Sequence, residues 1–337
     1  MRENKFYMKA CIFTECGDNI GLGHITRCMA LYKMLLEYNV AVKFLINYKY
    51  NKSNLSIGEK WVNLNWLTES KKLHNYLNGT KIVIIDSYLA KIKNYNEISS
   101  RVETVIYLDD TNRLEYPKGI VVNGSIGAKS LNYKTRNEIT YLLGVKYQIL
   151  RKAFWAKSEK IIKSNINDIL ILFGGNDKKN IIIKTLETIK DKYKNVKRNI
   201  VVGIGYGNID KLKKISDEKT EIFYNLNDNE MRNLMIKSDI AISGGGQTLY
   251  ELAKIGVPTI CIGNIENQKG NIIGLKSTGF LEFAGWWYED NIYNNMLKIL
   301  NKMNNKKMRE KKFKIGTSLM IENGCKNILD YIIKKHI

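Results

Sequence analysis

The first candidate for chemistry is a histidine in a glycine-rich turn. Residues 17–27 read Gly-Asp-Asn-Ile-Gly-Leu-Gly-His-Ile-Thr-Arg and lie between an apolar run and a helical stretch. Gly21 and Gly23 would let a ligand approach the backbone closely, and the helix start offers free N–H groups to negative charge. The helix dipole disfavours a positive charge there, which predicts a neutral His24 that accepts a proton. The pattern predicts a general base, with a plain strand-to-helix turn as the alternative.

Carboxylates end two further predicted strands of the same half. Asp86 ends one strand and precedes Tyr88, while Asp109 and Asp110 end another. The carboxyl ends of parallel strands share one crevice, so these side chains are expected to lie near His24. An aspartate after a strand also commonly caps the next turn, and for Asp109 and Asp110 this interpretation is equally good.

The strongest motif of the second half is another glycine-rich turn. Residues 243–253 read Ser-Gly-Gly-Gly-Gln-Thr-Leu-Tyr-Glu-Leu-Ala and follow an apolar strand. Three glycines before a helix leave N–H groups unobstructed, which suits a diphosphate. The Gly-Lys-Ser/Thr ending of a nucleoside triphosphatase loop is absent, so no magnesium-dependent phosphoryl transfer is predicted. Glu251 would bind both hydroxyls of a ribose, although a charge on the helix surface is an equally good interpretation. The predicted binding residues of this motif are Ser243, Gly244, Gly245, Gly246, Thr248 and Glu251.

Three smaller polar turns also follow predicted strands. Residues 174–177 form a second strand-to-helix turn, and Asn123 follows a strand of the first half. Asn267 and Gln268 lie at an amide-rich helix start. Their amide side chains donate and accept hydrogen bonds, as sugar hydroxyls require. Amides are also common turn residues, so this signal is weak alone. The candidates in the 174–177 turn are Gly174, Gly175 and Asp177.

The elements that must position these residues are short apolar strands alternating with helices from end to end. This alternation predicts an α/β fold with parallel sheets covered by helices on both faces. A chain of 337 residues is long for one core and suggests two domains of roughly 150 residues each. A polar stretch after residue 155 places the domains at 1–155 and 156–337, with helices closing the second.

Composition narrows the class of partner. The formal charge of +21 suggests an anionic partner, but the lysines are scattered and no basic stretch is interleaved with aromatics, so nucleic acid is not expected. Five cysteines without a Cys-x-x-Cys pair, and three histidines, predict neither a disulfide framework nor a metal site. No apolar run reaches the length of a membrane span, which predicts a cytoplasmic protein without stable membrane insertion.

Taken in order, these motifs resemble the UDP-sugar hydrolases of the pseudaminic acid pathway. Those enzymes are relatives of the GT-B glycosyltransferases, and the resemblance runs from about residue 9 to residue 285. It implies two Rossmann-like domains facing a central cleft, with UDP held mainly by the second. It also implies catalytic roles for His24 and Tyr88 and no need for metal or another cofactor. The resemblance further implies three substrate-binding residues, Arg27, Asp86 and Asp110.

The implied reaction cleaves the C1–O bond of UDP-2,4-diacetamido-2,4,6-trideoxy-β-L-altrose with water as acceptor. Ala153 departs from the family pattern, which commonly has an acidic residue near that position. Two alternatives stay open: a GT-B glycosyltransferase using a UDP-sugar donor, and a noncatalytic nucleotide-sugar binding protein. The sugar isomer and the oligomeric state leave no signal in the sequence.

Overall fold

The computed structural model describes residues 8–17, 23–48, 60–175, 177–203 and 205–334. The chain divides into two compact units, Met1–Arg151 with Glu322–Ile337, and Lys152–Ile321. Each unit holds one sheet in which every recorded strand pair is parallel. In the part of the chain so described, helices are too short or too polar to cross a bilayer.

The first unit is built on a seven-stranded sheet with the order β3-β2-β1-β4-β5-β6-β7. Strand β4 reads Ile-Val-Ile-Ile-Asp, and all five residues are buried. Such an unbroken buried run is typical of a parallel strand whose sheet is covered on both faces. The strands are β1 (Met8–Cys16), β2 (Val40–Tyr48), β3 (Val62–Asn63), β4 (Ile82–Asp86), β5 (Thr104–Leu108), β6 (Gly119–Asn123) and β7 (Ile139–Leu143). The helices are α1 (Gly23–Glu37), α2 (Ser70–Leu77) and α3 (Ile92–Ser99).

The second unit has a six-stranded sheet with the order β10-β9-β8-β11-β12-β13. Its core is rich in isoleucine from the inner strands and from the helices packed on them. The strands are β8 (Asp168–Leu172), β9 (Lys197–Val202), β10 (Thr220–Tyr224), β11 (Ile240–Ser243), β12 (Thr259–Gly263) and β13 (Leu281–Trp286). The helices are α4 (Ile181–Lys190), α5 (Ile209–Ile215), α6 (Asp228–Lys237), α7 (Thr248–Ile255), α8 (Lys269–Ser277), α9 (Ile292–Lys302) and α10 (Lys306–Leu319).

Both sheets have a point at which the strand order reverses. In the first unit β1 lies between β2 and β4, and in the second unit β8 lies between β9 and β11. The connections that follow the two central strands, β1 and β4 or β8 and β11, run to opposite sides, which opens a crevice at the carboxyl ends of these strands. The turn before α1 follows β1, and the three-glycine turn follows β11. Each glycine-rich motif therefore lies at the switch point of its own sheet.

The last helix, α11 (Gly324–Ile333), belongs to the first unit. The domain limits expected from the sequence, 1–155 and 156–337, differ from this division. The O–H of Tyr38, just after α1, donates to Asp330, and Nδ2 of Asn327 donates to the carbonyl of Lys146 at 2.7 Å. A Cβ at Gly324 would lie 2.1 Å from the carbonyl oxygen of Gln148, so glycine permits this close packing. These contacts attach the C-terminal helix to the unit in which the chain begins.

Candidate functional site

Three side chains on one face of α1 converge on a buried carboxylate. His24, Arg27 and Cys28 occupy positions i, i+3 and i+4, which project from the same side of a helix. Nδ1 of His24 is hydrogen-bonded to Oδ1 of Asp86, and Sγ of Cys28 donates to Oδ2 of Asp86 at 3.8 Å. Asp86 ends β4 and is fully buried. The sheet order explains the meeting, because β1, which leads into α1, pairs with β4.

Arg27 neutralises this carboxylate with a two-point contact. Its Nε donates to Oδ2 of Asp86 and its Nη2 donates to Oδ1 at 2.7 Å, while Nη1 donates to Oδ1 of Asp110 at 2.7 Å. Burial opposes ionisation of Asp86, but the Arg27 guanidinium and the His24 imidazole hold the pKa of that carboxyl well below its usual range. Asp86 is therefore ionised at neutral pH and accepts hydrogen bonds only.

The ionised state of Asp86 determines which ring nitrogen of His24 carries the proton. Because ionised Asp86 only accepts, the hydrogen bond requires the proton to lie on Nδ1 of the ring. In the neutral imidazole the lone pair is then on Nε2, the nitrogen that does not contact Asp86. Histidine held in this way by a carboxylate is the arrangement of a general base.

Tyr88 forms a wall beside the histidine. Its ring lies edge-on to the His24 ring, with centroids 4.5 Å apart and an interplanar angle of 89°. Its O–H donates to Oδ2 of Asp110 at 2.9 Å. Burial, and then the charge of Asp110, raise the pKa of Tyr88 above its usual value, so the side chain stays a phenol at neutral pH. Tyr88 is nevertheless 38% exposed, so a ligand has access to it.

The two neighbouring aspartates, for which both interpretations were open, have different contacts. Asp110 binds Arg27 and Tyr88, as a site residue would. Asp109 is buried and accepts the N–H of Thr111 and, at 2.8 Å, the O–H of Tyr133, which makes it a turn cap.

Asn123 is connected to the Asp109 network. Its Nδ2 donates to the O–H oxygen of Tyr133 at 3.1 Å, and its Oδ1 accepts the N–H of Ser125 at 2.9 Å. Its amide is thus engaged by the turn after β6, and none of its recorded contacts is with the His24 cluster.

Two of the three glycine N–H groups expected to hold a diphosphate already have protein acceptors. The N–H of Gly244 donates to the carbonyl of Leu172 at 3.2 Å, and that of Gly245 donates to Oε1 of Gln268 at 3.0 Å. Gly246 is different, because a Cβ there would meet nothing closer than Nε2 of Gln268 at 3.9 Å. The open side of this turn is therefore at Gly246, just before α7 begins at Thr248. In the first turn of α7, the N–H groups of Leu249 and Tyr250 already donate to the carbonyls of Gly246 and Gln247.

The remaining residues of the second-unit motif line the same end of the sheet or are buried beneath it. Ser243 is buried and its O–H donates to the carbonyl of Gly244 at 3.0 Å. Glu251 lies on α7 with 3% of its surface exposed, whereas Asn267 is exposed on a short 3₁₀ helix, Glu266–Gln268. Gln268 is brought to Gly245, while Asn267 has no such contact recorded in the described ranges.

Asp177 is a buried residue that caps the start of α4. Its two carboxylate oxygens accept the N–H groups of Ile181 and Ile182 at 3.1 and 2.8 Å. Burial raises its pKa, against the effect of these hydrogen bonds. Gly174 and Gly175 are exposed at the end of β8, and Gly174 has a φ of +81°, which favours glycine.

Of the two candidate glycines in the turn before α1, the structure describes one. Gly21 lies outside the described residues, whereas Gly23 is the exposed first residue of α1 and an added Cβ there would meet nothing within 4 Å. In the described ranges no three His, Cys, Asp or Glu side chains gather as metal ligands.

Two residues that contact this site were missed in the sequence. Cys28 contacts Asp86, and Glu15 contacts the turn that carries Tyr88. Cys28 looked like a small apolar helix residue, and its thiol is in fact directed at Asp86. Burial, and then the charge of Asp86, raise the pKa of Cys28 well above its usual value, so it remains a thiol. Glu15 is a charged residue in the buried part of a strand that is mostly apolar, and that exception is the signal that could have found it.

The fold and the two motifs define a GT-B-like α/β protein with two Rossmann-like domains. The expected fold class is confirmed. Residues 169–319 match the model of the glycosyltransferase family 28 C-terminal domain. MurG of Acinetobacter baumannii superimposes with a TM-score of 0.64 at 14% identity, covering 97% of this chain and 99% of that one.

Sequence relatives agree with the resemblance stated from the motifs. The chain is 26% identical over 266 residues to the pseudaminic acid cytidylyltransferase and UDP-2,4-diacetamido-2,4,6-trideoxy-β-L-altropyranose hydrolase of Helicobacter pylori, covering 77% of this chain and 45% of that protein. It is 26% identical over 280 residues to the spore coat polysaccharide biosynthesis protein SpsG of Bacillus subtilis, covering 77% and 79%. An uncharacterised protein of Methanocaldococcus jannaschii is 26% identical over 277 residues, with 78% and 57% covered. The chain thus spans about half the length of two of these relatives, and its resemblance to the hydrolase of the pseudaminic acid pathway is confirmed.

Proposed function

We propose that this chain is a nucleotide-sugar hydrolase. The reaction is cleavage of the C1–O bond of UDP-2,4-diacetamido-2,4,6-trideoxy-β-L-altrose by water, giving free sugar and UDP. The observation that carries the proposal is His24, held by a buried and ionised Asp86 that Arg27 neutralises. The choice of substrate is supported by the activity for which the Helicobacter pylori relative is named.

The first unit supplies the base in this proposal. Nε2 of His24 takes a proton from water as the water oxygen bonds to C1 of the sugar, and the electron pair of the broken C1–O bond stays on UDP. Asp86 holds the proton on Nδ1 and stabilises the imidazolium that forms. Tyr88 closes one side of the base and, as an uncharged phenol, presents a hydrogen-bonding group to the sugar.

The second unit holds the leaving group. The N–H groups of Gly246 and Thr248, at the start of α7, face the diphosphate, whose charge grows as the bond breaks. Glu251 binds the ribose hydroxyls, and Asn267 and Gln268 bind the phosphate or sugar end with their amides. Fixed donors aimed at the leaving group lower the barrier without protonating it, so this scheme uses no metal.

A glycosyltransferase is the second candidate. The match of residues 169–319 to a glycosyltransferase family 28 domain favours it, because the same donor site would serve a sugar hydroxyl in place of water. In that case His24 would deprotonate the acceptor. A noncatalytic binding protein explains the second unit but gives no reason for the His24 and Asp86 pair.

One experiment separates these functions. The purified chain is incubated with the UDP-sugar, EDTA and no acceptor in water enriched in ¹⁸O, and UDP release and sugar products are followed by NMR and mass spectrometry. Hydrolysis at C1 gives free sugar that carries ¹⁸O and unlabelled UDP. Label in UDP would indicate cleavage at phosphorus, and binding without release would favour the transferase or the binding protein.

A further inference from the structure

A second buried carboxylate lies directly behind the turn that carries Tyr88. Glu15 follows Thr14, which pairs with Asp86 in the parallel register of β1 and β4, so Glu15 lies beside the residues that follow β4. Its side chain is fully buried. Oε1 accepts the N–H groups of Tyr88 and Leu89 at 2.6 and 3.0 Å. A buried carboxylate that accepts backbone N–H groups in this way fixes the path of the chain.

The same turn is fixed further through Ser87. The O–H of Ser87 donates to Oε2 of Glu15 at 2.5 Å, and its Oγ accepts the N–H of Ala90 at 2.9 Å. Glu15 therefore orients the hydroxyl that holds the end of the turn. Three successive backbone N–H groups, those of residues 88 to 90, depend directly or indirectly on this one carboxylate.

Arg113 binds the carbonyl side of the turn. Its Nη2 donates to the carbonyl of Ser87 at 3.0 Å and its Nη1 donates to that of Ala90 at 3.2 Å. The guanidinium also donates to the O–H oxygen of Tyr95 at 3.1 Å. The N–H groups and the carbonyls of residues 87–90 are thus held from two sides by side chains of β1 and of the loop after β5.

We propose that Glu15 is a positioning residue that sets the Tyr88 ring against His24. Tyr88 is 38% exposed, so packing alone does not fix its ring; the O–H is held by Asp110, and Glu15 restrains the backbone from which the ring extends. This inference rests on the proposed function for its kinetic test and on geometry alone for its spectroscopic test.

The kinetic test uses Glu15→Gln, which keeps an acceptor for the backbone N–H groups but replaces Oε2, the acceptor of the Ser87 hydroxyl. We expect kcat to fall about tenfold with KM changed less than about threefold, the scale of one lost buried hydrogen bond to a charged group. In a Tyr88→Ala background the same substitution should change kcat less than about twofold, because the ring that it positions is gone. An equal loss in both backgrounds would overturn the inference.

Two further variants separate positioning from loss of stability. Arg113→Lys removes the two-carbonyl contact and should show the same dependence on Tyr88, since lysine lacks the guanidinium fork. Asp217→Asn weakens a two-point contact to the buried Arg198 in the second unit and serves as the destabilised control. Its melting temperature should fall while kcat at 25 °C stays at the parent value.

The spectroscopic test needs no turnover. With 3-fluorotyrosine incorporated at position 88, Glu15→Gln should shift and broaden the ¹⁹F resonance, whereas Asp217→Asn should leave it in place. An unchanged resonance in Glu15→Gln would reject the positioning role. If the parent chain releases no UDP, the proposed hydrolase fails, and the ¹⁹F comparison still decides whether Glu15 positions Tyr88.

Discussion

Nδ1 of His24 is hydrogen-bonded to Asp86 although the two residues are 62 positions apart in the chain. His24 lies in the first turn of the helix after β1, and Asp86 ends β4, the neighbour of β1 in the sheet. Asp86 is shielded from water and tied to Arg27 by two hydrogen bonds, so it does not turn away from the imidazole. The pair is therefore preorganised, and proton transfer at Nε2 requires no rearrangement behind the ring.

His24→Ala should separate catalysis from binding. We expect turnover of the UDP-sugar to fall at least about a hundredfold, the usual scale for a lost general base, while affinity for UDP stays near the parent value. Initial rates of UDP release and calorimetric titration with UDP give the two quantities. His74→Ala is the matched control, because His74 contacts Glu97 on the surface of the same unit. Unchanged turnover in His24→Ala would remove His24 from the mechanism.

Asp86→Asn should also lower turnover strongly. The Asn amide donates to Nδ1 of His24 and so favours the tautomer with its proton on Nε2, which cannot act as a base. By analogy with the carboxylate of serine protease triads, the expected loss in kcat is about 10³–10⁴-fold. Asp109→Asn, in the neighbouring turn cap, is the control and should lower stability with kcat within about threefold. Parent-like kcat in Asp86→Asn would show that the tautomer assignment is wrong.

Gly246→Ala tests the open side of the second-unit turn. An alanine there fits the ligand-free structure, since the nearest atom to its Cβ is 3.9 Å away, so the melting temperature should not change. The methyl group would obstruct a diphosphate at the helix start, and we expect UDP to bind about tenfold more weakly. Gly270→Ala, whose Cβ would meet nothing within 4 Å, is the control. Equal UDP affinity in Gly246→Ala and Gly270→Ala would place the diphosphate elsewhere.

Glu251→Ala tests the ribose assignment with two ligands. We expect UDP to bind about tenfold more weakly to the variant, the scale of hydrogen bonds between hydroxyls and a carboxylate. The variant and the parent should differ much less in their affinity for 2′-deoxy-UDP, which lacks one of the two hydroxyls. Glu266→Ala, at the start of the exposed 3₁₀ helix, controls for the loss of a negative charge. The same loss for both ligands would assign Glu251 to structure rather than to the ribose.

How far the sequence predicts the fold depends on where a strand lies in its sheet. The central strands, such as β4 and β11, are unbroken apolar runs because helices cover both faces, and the sequence correctly places the end of β4 at Asp86 and the end of β11 just before the three-glycine turn. The strands β7 and β13 were missed, and both lie at a sheet edge. There the apolar run is interrupted: β7 contains Thr140 and the half-exposed Tyr141, and β13 contains Gly285 with a φ of +135°.

Which candidate side chains lie close together was also predictable in part. The rule that the carboxyl ends of parallel strands share one crevice predicted that His24 and Asp86 lie close together. It could not choose between Asp109 and Asp110, because consecutive side chains point in opposite directions and the turn after β5 decides which one faces Arg27. Nor could it find Glu15, whose role follows from the register of β1 against β4 and not from any local motif.

The buried Lys160 gives a prediction about stability and pH. Its ammonium donates to the carbonyls of Ile236 and Ser238, and burial lowers its pKa from 10.5 to about 8. Between these two values the unfolded chain binds more protons than the folded chain at this residue, so the contribution of Lys160 to the free energy of unfolding rises with pH. The rise over that window is at most about 3 kcal/mol.

Lys160→Met isolates this contribution, because it removes the titrating group and leaves the other ionisable residues in place. Urea denaturation of the parent and the variant at pH 7, 8, 9 and 10 gives the difference in the free energy of unfolding. We expect the free energy of unfolding of the parent to rise steadily relative to that of the variant from pH 8 upward. An uncharged amine still donates to the carbonyls without the cost of a buried charge. A difference that is constant over this range would mean that Lys160 titrates as it does in the unfolded chain.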